Sequence, residues 1–550
     1  MLRALPALTA LVLAGPVGLG IAGMIVPALG PGPGGEPAIG VLARWPGLER
    51  AIAVSLASGL GSTMLALLMV ALLCAGWHGT RLFGWIERLL APLLSVPHAA
   101  AALGLAMLIA PSGMAFRLAA PVLGLDVPPD LLIVQDRAGL ALTAGLAVKE
   151  APFLLLMTLA ALPQAAPERR MAVARSLGRG RAAGWLLAVF PSIYVQIRLP
   201  VLVVLSYGMT VVDVAQILGP STPSTLSVQV TRWMSHPDLD YRALAAAGAL
   251  VQTVAVLGAL LLWLGGERAV ACIGRAWLWR GSAAPEGVIR AAGLALPAAA
   301  LALVAGLGLL GLWSVAARWS FPNVLPDELT LRSWARFGPD MIRTAASTMT
   351  LAGCATAIAL ALAVGRLEAE HRFGRTAAVP ASALVYLPLI VPQIAFLPGL
   401  ALLSAGAGRG WEMVSVLLGH VVFVLPYVLL SLSGPFRAWD VRFARVAAGM
   451  GTSPGRVLWR LRLPMLLAPV LTAAAVGIAV SVGQYLPTLL LGGGRIATLA
   501  TEAVALSAGG DRRAIGVWGL GQAAAALLPF ALAVLVPAIA FRHRRGLRHG

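Results

Sequence analysis

Apolar runs of about 20 residues follow one another along this chain, parted by short arginine-rich islands. A run of that length crosses the hydrocarbon of a bilayer as one helix. Inside lipid, only helices and closed barrels satisfy every backbone N–H and C=O. Barrel strands would read as short segments of alternating polarity, a pattern absent from this sequence. Charged residues make up 11% of the 550 positions, against about 25% in a soluble domain. So few charges cannot coat a soluble body of this size. The chain is expected to be an all-α polytopic membrane protein.

Twelve spans are expected. In the first half they cover Ala7–Leu29, Ala51–Trp77, Leu90–Ala110, Leu140–Leu162, Leu199–Leu218 and Ala243–Leu264. In the second they cover Ala291–Trp313, Ala345–Val364, Ala377–Leu403, Val414–Leu432, Met465–Leu486 and Ala514–Phe541. The first run is long for a signal peptide and is expected to remain as a span. Residues 265–290 form a basic linker, and the order of spans and loops repeats on either side of it. Two six-span units, 1–264 and 291–550, are therefore expected. Prolines repeat as well: Leu93–Leu108 (LLSVPHAAAALGLAML) resembles Pro388–Leu403 (PLIVPQIAFLPGLALL), with Pro97 on Pro392. Glu150–Phe153 falls where Val424–Tyr427 stands, so Pro152 meets Pro426. Intramembrane prolines kink helices, and paired kinks imply the same helix shapes in both halves.

Arginine placement sets the topology. Arg81, Arg88, Arg169, Arg170, Arg175, Arg268 and Arg275 lie in alternate loops of the first half. Arg366, Arg372, Arg375, Arg437, Arg442 and Arg460 do so in the second. The remaining loops hold most of the lone acids, among them Asp126, Asp130, Asp238, Asp240 and Asp327. Both termini are thus expected on the cytoplasmic side, with the C-terminal FRHRRGLRHG resting on lipid headgroups. The formal charge of +19 reflects this rule and does not point to nucleic acid. Cys74, Cys272 and Cys354 lack metal-ligand spacing, and no metal or cofactor is expected.

Two arginine-rich islands read nearly alike. AVARSLGRGRAAGWLLAVFP runs from Ala172 to Pro191, and RVAAGMGTSPGRVLWRLRLP from Arg445 to Pro464. Aligned without gaps, Gly178 falls on Gly451 and Pro191 on Pro464. Ala172, Ala174, Ala447 and Ala448 are small enough to let a short helix pack closely on another surface. Gly178 and Gly451 permit a sharp turn. Ser453 suits an N-cap and Pro454 a first helical position. One such island is an ordinary basic loop obeying topology. Two in register imply two matched docking points for a cytoplasmic partner.

These residues resemble the signature loop of the membrane subunit of bacterial ATP-binding cassette (ABC) importers of the binding-protein-dependent type. The resemblance is to the fused form, in which one chain supplies both permease units. It implies two tandem six-helix (MetI-like) units, two copies of a separate cytoplasmic ATP-binding subunit gripping the two loops, and a periplasmic solute-binding protein. Ala172 and Arg445 stand where the family's loop has a glutamate. No phosphate-binding G-x-x-x-x-G-K-[ST] motif is present, and Lys149 is the sole lysine, so ATP hydrolysis is expected from the partner and not from this chain. Ser320–Phe337 also resembles the outer segment of fused permeases of the thiamine and ferric-iron type.

Lys149 and Glu150 lie near the middle of the fourth span, and Asp213 in the outer half of the fifth. Charges at such depth are costly and usually functional. They are read either as a translocation path with an acid facing a small cation such as thiamine, or as an ion pair holding helices together. At the outer mouth Trp233, His236, Asp238, Asp240 and Tyr241 read as a seat for a periplasmic solute-binding protein or, preferred here, as a solvated loop with interfacial aromatics. Two other classes compete with the importer permease. A secondary transporter would repeat its coupling-ion residues in both halves, yet Phe423 and Val424 match Lys149 and Glu150. A membrane-embedded lipid enzyme would cluster acids or histidines at a membrane face, and the seven histidines are scattered.

Overall fold

The computed structural model describes residues 2–280, 285–374, 384–406, 408, 410–540 and 542, with backbone alone for 277–280. Arg375 and the tail from 543 onward, including Arg544, Arg545 and Arg548, lie outside the described residues, as does the start of the expected ninth span. The first half holds α1 (Leu5–Leu29), α2 (Leu48–Trp77), α3 (Arg81–Ser95), α4 (His98–Ile109), α5 (Leu140–Ala165), α6 (Pro167–Ser176), α7 (Phe190–Thr210), α8 (Asp213–Leu218) and α9 (Tyr241–Arg280). A short α10 (Glu286–Ala292) leads into α11 (Ala295–Val315). Then come a small hairpin, β1 (Ala316–Arg318) and β2 (Glu328–Leu329), and the long α12 (Arg332–Phe373). The chain ends with α13 (Leu397–Ala405), α14 (Glu412–Ala438), α15 (Arg442–Gly449), α16 (Leu467–Val482), α17 (Leu486–Leu491), α18 (Leu499–Ser507) and α19 (Arg512–Ala540).

Among the described residues, ten helices are long and apolar enough to cross a membrane. An eleventh arises if Pro454–Met465 and Leu467–Val482, bent by 79°, count as one span. The ninth expected span appears as short pieces, Leu387–Ile390, Gln393–Ala395 and α13. The protein is an all-α polytopic membrane protein of the tandem six-helix type.

The paired prolines act in two ways. Pro152 and Pro426 sit inside continuous helices. Pro97 and Pro392 do more than kink: each ends a helix. Val96 and Val391 are extended, with ψ 125° and 122°, and Pro97 and Pro392 follow with ψ 147° and 140°. A residue before proline is pushed out of the helical region by the ring, and here the whole turn is lost. The fifth span breaks as well. Val211 is extended after α7, so Asp213 opens α8 beyond the break and does not lie within the span helix. The matching break lies between α16 and α17.

The halves are interlocked through their first helices. α1 packs against α13, and α11 packs against α4. Each crossing is closed by glycines at the matched positions Gly104 and Gly399. A Cβ on Gly104 would lie 2.7 Å from the backbone of Gly306 in α11, and one on Gly399 would overlap the carbonyl of Gly20 in α1. Apolar helices gain little from one another in lipid, so such close backbone approach supplies the packing that associates them. Beyond α4, Arg117 in the next short helix, Met114–Leu123, is 3% exposed. It donates to the carbonyls of Ser320 (2.8 Å) and Asn323 (2.5 Å) and faces the Trp319 ring at 5.0 Å. The segment after β1 is thereby pinned to the first half. Gly104→Ala should cost about 1–3 kcal/mol by overpacking, read as a lowered Tm in detergent. Gly18→Ala, with open space around it, should leave Tm unchanged. Equal Tm values for the two variants would contradict the crossing.

Candidate functional site

The two basic islands fold alike. Each begins with a short helix, α6 or α15, ended by a left-handed glycine: Gly178 at φ 72° and Gly451 at φ 76°. The hydrogen bonds that close the turn are matched. Gly178 and Gly451 donate to Arg175 and Ala448 (both 2.9 Å), and Arg179 and Thr452 donate to Ala174 and Ala447 (both 3.0 Å). This pattern satisfies the last carbonyls of the helix, and only glycine enters φ > 0 without strain. A one-turn helix follows, Arg181–Gly184 or Pro454–Val457, and then a π-helical turn, Trp185–Val189 or Leu458–Arg462. Pro191 lies in the first turn of α7, and Pro464 in the three-residue helix before the bend into α16. Ser453 takes the N-cap position before Pro454, but its hydroxyl makes no capping bond.

Small residues have divided roles in these loops. Ala174 and Ala447 are buried under the turn, while Ala172 and Ala448 are exposed. A Cβ on Gly184 would stand 3.0 Å from that of Ala174, so Ala174 lets the two helices of the loop close on each other. The outward face carries apolar pairs at matched positions. Val173 and Leu177 are 57% and 73% exposed, and Val446 and Met450 are 64% and 73% exposed. Residues four apart lie on one face of a helix, so each loop offers a solvent-facing apolar pair ringed by arginines.

The loops are braced differently. In the first, Arg170 donates to Ala165 (2.9 Å) and Arg181 to the His78 carbonyl. In the second, Arg462 is 3% exposed, donates to Glu368 (3.0 Å) and the Phe436 carbonyl (2.7 Å), and stacks over the Phe436 ring at 3.8 Å. Glu370 pairs with both Arg366 and Arg437. At the start of α15, the Arg442 side chain bonds to Asp440 and holds its carboxyl below the usual range. The bond therefore persists at neutral pH and is lost only as pH falls through that lowered value.

The charges expected in the membrane separate. Lys149 Nζ donates to the carbonyls of Leu93 (3.1 Å) and Leu94 (3.2 Å), the last turn of α3 before the Pro97 break. It caps a helix end and forms no ion pair with Glu150. Glu150 instead meets His98 Nε2 at 3.0 Å. His98, the first residue after Pro97, also packs at a tilt on Tyr207, ring centroids 5.0 Å apart, and lies in electrostatic reach of the buried Asp213. The other half contributes Tyr485, whose hydroxyl donates to Gln216 (3.0 Å), and Gln393 beside Gln484. Glu150 and Asp213 are thus gathered with His98, Tyr207, Gln216, Gln393, Gln484 and Tyr485 around the span breaks of both halves, while the Lys149 ammonium is held by the Leu93 and Leu94 carbonyls. The uncharged members carry no composition signal. Their signal was position: His98 and Gln393 each follow one of the paired prolines. Trp233, from the outer-mouth group, packs edge-on against Trp45 at 5.2 Å and is buried, while His236 lies on Tyr241.

No family model matches the chain. It is 31% identical over 514 residues to the inner membrane ABC transporter permease protein YnjC of Escherichia coli K12, covering 92% of this chain and 91% of that one. The molybdenum transport system permease protein ModB of Mycobacterium tuberculosis is 31% identical over 171 residues, 28% of this chain and 60% of ModB. The spermidine/putrescine transport system permease protein PotC of Haemophilus influenzae is 28% identical over 175 residues, 32% of this chain and 64% of PotC.

Removing one partner of a buried ion pair costs about 3–5 kcal/mol. Arg462→Ala should therefore lower Tm markedly, whereas the exposed Arg460→Ala should stay within about 0.5 kcal/mol. Thermal unfolding in detergent compares the two, and equal shifts would remove Arg462 as the brace of the second loop.

Proposed function

We propose that this chain, which belongs to the ABC transporter permeases in their fused two-unit form, carries a small solute across a bacterial inner membrane by alternating access driven by separate ATP-binding subunits. The observation that carries this reading is the pair of matched loops, each a short helix, a left-handed glycine and a second turn, with an apolar pair facing solvent. Such an outward pair, repeated at matched places in both loops, suits a groove on a partner. Two equal surfaces on one chain call for two copies of that partner. Both loops and both termini are cytoplasmic in this reading, and solute arrives from a periplasmic binding protein. Units 1–264 and 291–550 are the two permease units, joined by 265–290. When the ATP-binding subunits close, the two loops are drawn together and the span breaks around His98 and Gln393 exchange access from one side to the other.

The substrate is a small cation, thiamine being one candidate. Carboxylates and aromatic faces attract cations. Glu150 and Asp213 share the central cluster with Tyr207 and Tyr485, and the sole lysine is committed to carbonyls. An oxyanion would meet two carboxylates there.

Two measurements test the reading. Charging one apolar pair (Val173→Glu with Leu177→Glu, or Val446→Glu with Met450→Glu) should halve the ATP-binding subunit that co-purifies, and charging both should abolish it. Undiminished co-purification from the fully charged chain would sink the docking role. Uptake of labelled thiamine and putrescine into vesicles should fall at least tenfold for Glu150→Gln, and unchanged uptake would take Glu150 out of the path.

A further inference from the structure

Glu286, the first residue of α10, reaches from the segment between the halves into the first loop. Its Oε1 and Oε2 accept from the Ala182 N–H at 3.0 and 2.9 Å, and Oε1 also accepts from Ala183 at 3.2 Å. These donors open the continuous helix Arg181–Thr210, where the first N–H groups have no partner within the helix. Gly180 makes room for the carboxylate: a Cβ there would overlap Oε1 and stand 2.9 Å from Cδ.

The rest of α10 is seated as firmly. The Arg290 carbonyl accepts from Trp77 Nε1 at 2.9 Å, and its guanidinium covers the Trp77 ring at 5.2 Å. Just past α10, a Cβ on Gly293 would lie 2.7 Å from the Leu72 carbonyl. α10 then passes into α11, which crosses α4 at the Gly104–Gly306 contact. An unbroken series of close contacts thus runs from the first loop, through Glu286, to the helix that interlocks the halves. Among the described residues, no carboxylate holds the second loop in this way. The matched position to Ala182 is Gly455, and the second loop is fixed by Arg462 to Glu368 on α12.

We propose that Glu286 is a positioning residue for energy coupling: it ties the first loop to the head of α11, so that a push on that loop moves the interlocking helix directly. The two loops then transmit by different routes, the first across the halves and the second within its own half. This rests on the importer reading above.

The test uses the full chain with its ATP-binding subunits in nanodiscs, with Cys272 and Cys354 replaced by serine. Spin labels go on the exposed positions Leu261→Cys in α9 and Leu301→Cys in α11. The distance between them is measured without nucleotide and with MgATP plus vanadate. The unaltered chain should show a distance change. Glu286→Ala and Gly180→Ala, which break the contact from opposite sides, should each lose most of it while retaining the co-purified ATP-binding subunits. Glu286→Gln, which keeps one acceptor oxygen, should restore part of it, and it replaces Glu286→Ala should that variant not fold. A full distance change in both Gly180→Ala and the Glu286 variant overturns the proposal. An unaltered chain that neither retains ATP-binding subunits nor responds to vanadate overturns the importer reading, and this inference with it.

Discussion

A backbone broken inside lipid must find partners for the carbonyls and N–H groups the break releases. That demand organises the centre of this protein. Four interruptions, at Pro97, at Val211, at Pro392 and between α16 and α17, lie where spans of the two halves face each other. At three of them a side chain from another helix bonds a carbonyl beside the break. Lys149 takes the last carbonyls of α3. Ser206 of α7 donates to the Ile390 carbonyl before Pro392 at 2.9 Å, across the halves. Gln252 of α9 donates to Met209 just before the Val211 break at 2.9 Å. His420 bridges the fourth interruption through side chains alone, meeting the Ser481 hydroxyl in α16 at 2.7 Å and the Thr488 hydroxyl in α17 at 2.9 Å. Polar groups needed for the backbone are thereby concentrated around the breaks, which on the importer reading line the solute's path.

Exchange of the first helices follows a related logic. Neither half can close its own third-span region, because α4 is covered by α11 and α13 by α1. The glycines at these crossings lie at equivalent positions after the paired prolines, so duplication carried the break and the crossing together. Fusing two such units in one chain fixes their pairing. It also places a connecting segment, α10, beside the first loop, where a pair of separate subunits would have a free terminus.

Much of this was legible in the sequence. Long apolar runs can only be helices in lipid, so ten of the spans lie where the runs do. The duplicated loop was legible because glycine is the residue that a left-handed turn requires, and Gly178 and Gly451 occupy it at matched places. The breaks were only half legible. Pro97 and Pro152 look alike as letters, yet one ends a helix and the other is absorbed by it. The difference lies in neighbours that accept or donate the freed bonds, and these come from distant positions. Lys149 shows the same limit: a charge in a span signals cost, but its partners are carbonyls of α3, and carbonyls have no letter. Gln393, Gln484 and Tyr485 join Asp213 only through the fold.

Asymmetry between the halves is the remaining consequence. The loops match in the backbone bonds of their turns and in their outward apolar pairs, so two copies of one partner can engage them alike. Behind the loops the match ends. Lys149, Glu150 and Asp213 belong to the first half, and His420 and the Glu368–Arg462 pair to the second. A homodimer of permeases would need every such group twice, placing four carboxylates where two now stand and raising the cost of burial accordingly. In a fused chain one half can carry the charged groups and the other the neutral ones that complete their hydrogen bonds. On the importer reading, symmetry is thus retained where the ATP-binding subunits grip and given up where the solute passes, because gripping requires two equal surfaces and a single solute requires only one set of charges.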